Sequence, residues 1–400
     1  MTVTTEHLIA ATRRLRKSPH DQGAWLELAA IHHALGNTED AEQLFATIGE
    51  GARIGGQVAL AVACGRHLAD LGSVRGPELI EQVIESYAGG SPSFTFTAPP
   101  APEEPPEVPA GQGTPLEEAR ALVEKLGAWL TGRQPAKVPP APLLSALSKP
   151  GARALVGVMA ARAYPAGASI IEVGQPATAL YWLAHGTLVV ERGGTELGEL
   201  HTGALFGEIA LVGGMTRTAQ VRAREDAWVL EIPARAVETA AQKHPKLAEV
   251  LAHHARTRLL ANLVRTSELF RALADDDRDA LLPKFATELV AAGTTFIQEG
   301  AANQHLWVVV SGRCEVRSAG AQIAELGPGA AVGEISLVSG QPAVASVVAV
   351  EPAVLLRLSK ADFDVVAKKH PALLAEVEKL VVARETANRA LFQDASDLIV

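Results

Sequence analysis

Residues Phe206-Gly-Glu-Ile-Ala-Leu-Val-Gly-Gly-Met-Thr-Arg-Thr-Ala-Gln-Val221 decide how this chain is read. A Gly-Glu turn opens the stretch, apolar residues follow, and an arginine stands nine places after the glutamate. Gly207 permits a tight backbone approach. A carboxylate at Glu208 suits a hydroxyl donor, and the planar fork of Arg217 suits two oxygens of a phosphate. The stretch predicts a cradle for a ligand that carries both groups. The same frame returns 126 residues later as Val332-Gly-Glu-Ile-Ser-Leu-Val-Ser-Gly-Gln-Pro-Ala-Val-Ala-Ser-Val347. Gly333 and Glu334 persist there, but Ala343 and Val344 replace Arg217 and Thr218. With no Lys or Arg between Ser318 and Leu356, no neighbour in that stretch replaces the missing charge. The second site reads as degenerate, because a desolvated phosphate without a countercharge is costly.

The offset of 126 extends far beyond the cradle. Leu143, Leu147 and Leu155 recur as Leu269, Leu273 and Leu281, and Gly167, Gly174, Gly186 and Gly203 recur as Gly293, Gly300, Gly312 and Gly329. Lys243-His244-Pro245 returns as Lys369-His370-Pro371. From Leu143 onward the chain is one domain written twice. Short apolar runs separated by turn residues predict strands at Ser169–Ile171, Leu180–Ala184, Thr187–Glu191, Glu196–Leu200, Ala219–Ala223 and Trp228–Ile232, the pattern of a jelly roll. Pro233 ends the sheet, and Arg235–Lys243 and Lys246–Val264 read as helices.

Residues 1–88 carry apolar side chains at helical spacing through Trp25, Leu28, Ala29, Leu35, Ala41, Leu44, Phe45 and Ile48, with a break at Gly36-Asn37. Between residues 89 and 115 stand eight prolines, a composition that predicts an extended, mobile spacer. A short helix over about 115–131 is expected to start at Thr114, with Glu117 and Glu118 in its first turn, and a cluster at Pro135, Pro139, Pro140 and Pro142 ends it.

Charge and composition exclude several functions. The 36 basic and 45 acidic residues give a net charge of −9, and the basic run Arg13-Arg14-Leu15-Arg16-Lys17 reads most simply as the solvated side of the first helix, which argues against nucleic acid as a partner. No apolar run is long enough for a membrane span, and the first residues do not read as a secretory signal. Two distant cysteines, Cys64 and Cys314, fit a reducing, cytoplasmic setting. The adjacent pairs His32-His33 and His253-His254 do not share a helix face, and Asp275-Asp276-Asp277 lacks calcium-loop spacing, so no metal or cofactor is expected. No nucleophile elbow, P-loop or HExxH is present, and no catalytic residue is assigned.

The Phe206–Val221 segment resembles the phosphate-binding cassette of cyclic-nucleotide-binding domains, the family of the bacterial catabolite activator and the protein kinase A regulatory subunit. The resemblance implies that Glu208 binds the ribose hydroxyl and Arg217 the phosphate, with Phe206, Gly207, Ile209, Ala210, Thr218 and Ala219 around them. Gln220, where a Thr or Ser often accompanies guanine recognition, favours cAMP over cGMP. It further implies that ligand capture draws the helices at Arg235–Val264 over the site. Trp25, Leu28, Ala41 and Phe45 resemble a tetratricopeptide repeat, with Ala29 and His32 in place of its Gly and Tyr, beside the plainer reading of a generic helical hairpin.

The expected architecture is a multidomain α+β protein: tetratricopeptide-like helical hairpins over 1–88, a Pro-rich linker over 89–142, a first jelly-roll domain over 143–266 and a second over 267–395. The expected function is that of a non-enzymatic cyclic-nucleotide-responsive adaptor, engaging protein partners through the N-terminal helices and open to homo-oligomer formation. A ligand-free scaffold and a kinase regulatory subunit remain as alternatives. Two further expectations follow: that Arg217 is partly solvated without ligand, and that removing residues 1–88 leaves ligand affinity intact.

Overall fold

The structure, a computed structural model, describes residues 3–89, 104–111, 113–132, 141–192, 194–208, 216–217, 219–252, 267, 270, 274, 276, 281–369, 371, 374–384 and 386. The chain divides into two compact units, Met1–His254 and Ala255–Val400. The fold is multidomain α+β, helices first and then two four-plus-four-stranded sheet domains.

The apolar spacing of the N-terminal region is realised as five helices: α1 (Thr5–Lys17), α2 (Gln22–Ala34), α3 (Thr38–Ile54), α4 (Val58–Asp70) and α5 (Arg75–Tyr87). Trp25, Leu28, Ala29, Ala41 and Phe45 are all buried, and so is His32. Trp25 Nε1 donates to the carbonyl of Pro19 at 2.9 Å, which satisfies the buried indole. α6 (Pro115–Thr131) begins where its cap demands: Thr114 and Glu117 form a reciprocal capping box, and proline occupies the first helical position. Ala119, Leu122, Val123 and Leu126 bury one face of α6 against α1 and α3, and Arg120 grips Asp40 with two bonds of 2.8 and 3.0 Å. Of the proline-rich spacer, residues 90–103 and 112 lie outside the described residues.

Two short helices, α7 (Pro142–Ser145) and α8 (Lys149–Gly157), lead into the first barrel. One sheet has the order β1 (Ala160–Tyr164), β8 (Ala227–Pro233), β3 (Ala179–His185), β6 (Leu205–Phe206). The facing sheet runs β2 (Ser169–Ile171), β7 (Gln220–Ala223), β4 (Thr187–Arg192), β5 (Thr195–His201). Every pairing is antiparallel. α9 (Ala234–Lys243) follows, and helical residues 245–252 come next. The expected continuation to Val264 lies outside the described residues.

The helices and this barrel share one hydrophobic core. α4 packs on β1, β3 and β8, and buried Leu60, Ala61 and Leu68 join Leu180, Trp182 and Leu230 in a single cluster. Phe45, His67 and Trp228 form an aromatic knot with centroids 4.5 to 5.6 Å apart. Residues 1–88 are thus built into the core of the first barrel, which bears on the expectation that removing them leaves ligand affinity intact. Deleting them strips the cover from β1, β3 and β8 and exposes an apolar face.

In the second unit, the sheets repeat strand for strand: β9 (Ala286–Val290), β16 (Ala353–Ser359), β11 (His305–Ser311), β14 (Ala331–Val332), and β10 (Thr295–Ile297), β15 (Ser346–Ala349), β12 (Cys314–Ser318), β13 (Ala321–Leu326). Seven of the eight strand starts fall 126 residues after their counterparts, the exception being β12 at Cys314 against Thr187. Even the bulge before His185 in β3 returns before Ser311 in β11. α10 (Glu334–Ser339) and α11 (Lys360–Lys369) follow in this barrel, and residues 374–384 are helical.

Candidate functional site

Five of the eight expected site residues of the first barrel are described, and three of them, Phe206, Gly207 and Arg217, converge at β3. Phe206 closes β6 opposite Tyr181, and the two rings stack with centroids 5.2 Å apart and planes 17° from parallel. Gly207 then turns the chain with φ +86°. A Cβ there would sit 2.8 Å from Arg217 Nη1, so this position demands glycine both for its backbone and for its space. Glu208 follows, 3% exposed. Ala219 is half-buried just ahead of β7, while Ile209, Ala210 and Thr218 lie outside the described residues.

Arg217 enters from the opposite side. Its backbone N–H donates to the Gln175 carbonyl and its own carbonyl accepts from Gly174, both at 2.8 Å, so the loop between β2 and β3 anchors it. Nη1 donates to the Gly207 carbonyl at 2.8 Å and Nη2 to the Ala179 carbonyl at 2.5 Å. The guanidinium lies 5.4 Å from the centroid of Tyr181, a cation–π contact. Burial draws its pKa below the ordinary arginine value, while Tyr181 and Glu208 act in the opposite sense. It remains cationic. At 4% exposure it is not partly solvated, contrary to expectation: two backbone carbonyls and an aromatic face have taken the place of water.

The second barrel reproduces this backbone and changes the side chains. Ala343 donates its N–H to Ala301 at 2.9 Å and accepts from Gly300 at 2.8 Å, the counterparts of the two Arg217 main-chain bonds. Gly333, with φ +85°, occupies the place of Gly207, and Glu334, 1% exposed, the place of Glu208. The guanidinium is gone, yet its carbonyl partners are not orphaned. Asn303 Nδ2 donates to the His305 carbonyl at 2.8 Å and to the Gly333 carbonyl at 3.3 Å. At the 126-residue offset these are the counterparts of the Ala179 and Gly207 carbonyls, and Asn303 itself stands opposite Ala177. The two barrels therefore carry a reciprocal exchange, Ala177 with Arg217 against Asn303 with Ala343.

Arg384, from the helical residues 374–384, reaches the second site as well. Its Nη1 donates to Glu334 Oε1 at 3.2 Å. The reading that no basic side chain stands near this site, drawn from residues 318–356, thus missed a cation arriving from 50 residues away. Burial raises the Glu334 pKa, and Arg384 opposes that rise. Only the offset of the repeat, by pairing Asn303 with Ala177, carried a signal for the exchange; nothing local in the sequence marks Arg384.

Among the described residues no helix is long and apolar enough to cross a membrane, and no group of three or more His, Cys, Asp and Glu is placed to hold a metal ion. The sequence model of the cyclic nucleotide-binding domain family matches residues 161–244 and 287–370. The chain is 36% identical over 99 residues to the Pycsar effector protein XpPycTIR of Xanthomonas perforans, covering 24% of this chain and 32% of that protein. It is 28% identical over 229 residues to the cGMP-dependent protein kinase egl-4 of Caenorhabditis elegans, covering 55% of this chain and 28% of the kinase. The chain thus spans about a third or less of the length of either relative. Among solved structures, cAMP-bound PfPKA-R aligns with a TM-score of 0.32 and 15% identity, over 62% of this chain and 85% of that one.

Proposed function

Residues 161–244 and 287–370 being cyclic nucleotide-binding domains in tandem, we propose that the first captures one cyclic mononucleotide per chain, cAMP in preference to cGMP, and that the protein acts as a non-enzymatic, cytoplasmic regulatory adaptor. Arg217 takes the cyclic phosphate and Glu208 the ribose hydroxyl, with Phe206, Gly207, Ile209, Ala210, Thr218 and Ala219 shaping the cradle. Gln220, after the cassette, favours adenine.

The observation that carries this reading is the exchange between the barrels. A ligand-free scaffold needs only a donor that ties β3 to the Gly-Glu turn, and the neutral amide of Asn303 does that in the second barrel. The first barrel uses a buried cation for the same task. Burying a guanidinium costs several kcal/mol more than burying an amide of similar reach. The charge is surplus to the strut and has a use once a phosphate arrives. Arg217 then trades its carbonyls for phosphate oxygens, and the Gly207 turn it released is free to move, which is a differential contact of the kind that ligand coupling requires.

Titration of the full chain with cAMP and cGMP tests this. One site is expected per chain, weakened by about 3–5 kcal/mol, roughly a hundredfold to a few thousandfold, in Arg217→Ala. Two equivalent sites, or unchanged affinity in Arg217→Ala, would refute it. Protein partners are proposed to engage the N-terminal helices on surface not covered by α6. Because those helices share the barrel's core, the fitting test is surface substitution at exposed positions such as Val74, 76% exposed, and not truncation.

A further inference from the structure

A cavity of about 330 Å³ opens beside Glu334 in the second barrel. Its walls are apolar, including Ile297, Val316, Leu326, Val332 and Val347, and Arg384 stands at its edge. That size and lining suit a small organic ligand held by few polar groups. Inside it, Glu334 Oε1 is bonded to Arg384 and the carboxylate is also supported by its own backbone N–H, but the other oxygen, Oε2, is fully buried with no hydrogen-bond partner from another described residue. A buried carboxylate oxygen left unmatched is costly, and it asks for a donor.

The charge balance limits what that donor belongs to. Ala343 has removed the cassette cation, Asn303 has replaced its hydrogen bonds with neutral ones, and Arg384 is already committed to Glu334. An anion entering here would meet a buried carboxylate with no unengaged countercharge among the described lining residues. A site merely decaying would leave the His305 and Gly333 carbonyls without their donor or let apolar side chains fill the space. Instead the bonds are restored and the cavity persists.

We propose that the second barrel is a binding site for an uncharged, hydroxyl-bearing ligand of the nucleoside class, held by a ribose hydroxyl on Glu334 Oε2 with Arg384 fixing the carboxylate from the rim. The nucleoside class rests on the reading of Glu208 as the ribose partner in the first barrel. Loss of the phosphate cation with retention of the hydroxyl acceptor converts the chemistry from nucleotide to nucleoside. Arg384 and the ligand use different oxygens of one carboxylate, so both bind together.

Calorimetry of the full chain with adenosine, guanosine and inosine, alongside cAMP and cGMP, tests the assignment. At least one nucleoside is expected to bind with an affinity unchanged in Arg217→Ala and weakened about tenfold or more in Glu334→Gln, which replaces a charged acceptor with a neutral one. Hydrogen exchange on the unsubstituted chain guards against a folding defect in that variant, and protection by the nucleoside is expected within residues 331–349. No nucleoside binding at millimolar concentration overturns the proposal. So does protection confined to residues 205–221, or a cyclic nucleotide binding the second barrel more tightly than every nucleoside. Failure of the first-barrel reading shows separately, as cyclic-nucleotide heat that is absent or indifferent to Arg217→Ala.

Discussion

Arg217 and Asn303 bond equivalent pairs of carbonyls with side chains of different charge, and this separates two roles that one residue combines in the first barrel. Removing Arg217 takes away two charge-assisted bonds and leaves the Gly207 and Ala179 carbonyls in a dry environment. Arg217→Ala is therefore expected to lower ligand-free stability by about 2 kcal/mol as well as to abolish tight nucleotide binding. Adding Ala177→Asn to Arg217→Ala transplants the amide strut of the second barrel. Thermal melting of this double variant is expected to recover most of the lost stability, while titration shows no recovery of nucleotide affinity. If affinity returns with stability, Arg217 is a strut and nothing more. The cassette was legible from the order of residues because its chemistry is local, a turn, a carboxylate and an arginine within ten positions. Asn303 and Arg384 were not, because each acquires its role from where the barrel brings it.

At the scale of elements, the repeat supplied most of the architecture, since a strand found in one copy fixes its partner in the other. β1 escaped notice because Ala160-Ala-Arg-Ala-Tyr164 offers little β-branched or alternating pattern, and it is positioned by pairing with β8 along its full length. β6 is two residues long, too short for periodicity to register. α6 shows the reverse case. Its cap and apolar face were readable at Thr114 and Leu122, but its docking site on α1 and α3 was not, because contacts such as Arg120–Asp40 and Arg16–Glu118, separated by 80 and 102 residues, leave no local trace. Leu122 is fully buried in that interface. Leu122→Ala is expected to cost about 2–4 kcal/mol and to raise hydrogen exchange across α6 and the facing turns of α3. Exchange unchanged in α3 would mean that α6 does not contribute to the fold of the first unit.

On the scale of the first unit as a whole, the continuous core from α1 to the first barrel encloses several histidines whose titration reports on its integrity. Burial holds the imidazoles of His32, His67 and His185 below the ordinary histidine value, against the opposing pull of Asp40 on His32, Asp70 on His67 and Glu225 on His185. His32, on α2, faces Asp40 of α3 and Arg120 of α6, His67 lies against Phe45 and Trp228, and His185 near the start of α2. All three therefore sit where helices meet each other or the barrel. With folded pKa values depressed, these groups are neutral in the native state and take up protons on unfolding once the pH drops below about 6.5. Their stabilising contribution is complete above that value and is lost as the pH falls toward the folded pKa values. The ceiling is about 1.4 kcal/mol per histidine for each pH unit inside the window. Carboxylates stabilised by ion pairs, such as Asp21, lose their contribution only at lower pH, so the histidine effect comes first. Acidification from pH 7.5 to 5.5 is thus expected to lower the melting temperature of the first unit and to raise exchange in α2, α3 and α4 together. His32→Leu, which fills the site without a titrating group, is expected to reduce that pH dependence. A melting temperature that holds steady or rises over this range would show the imidazoles to be charged in the native state, and the helices to be less tightly joined to the barrel than their shared core requires.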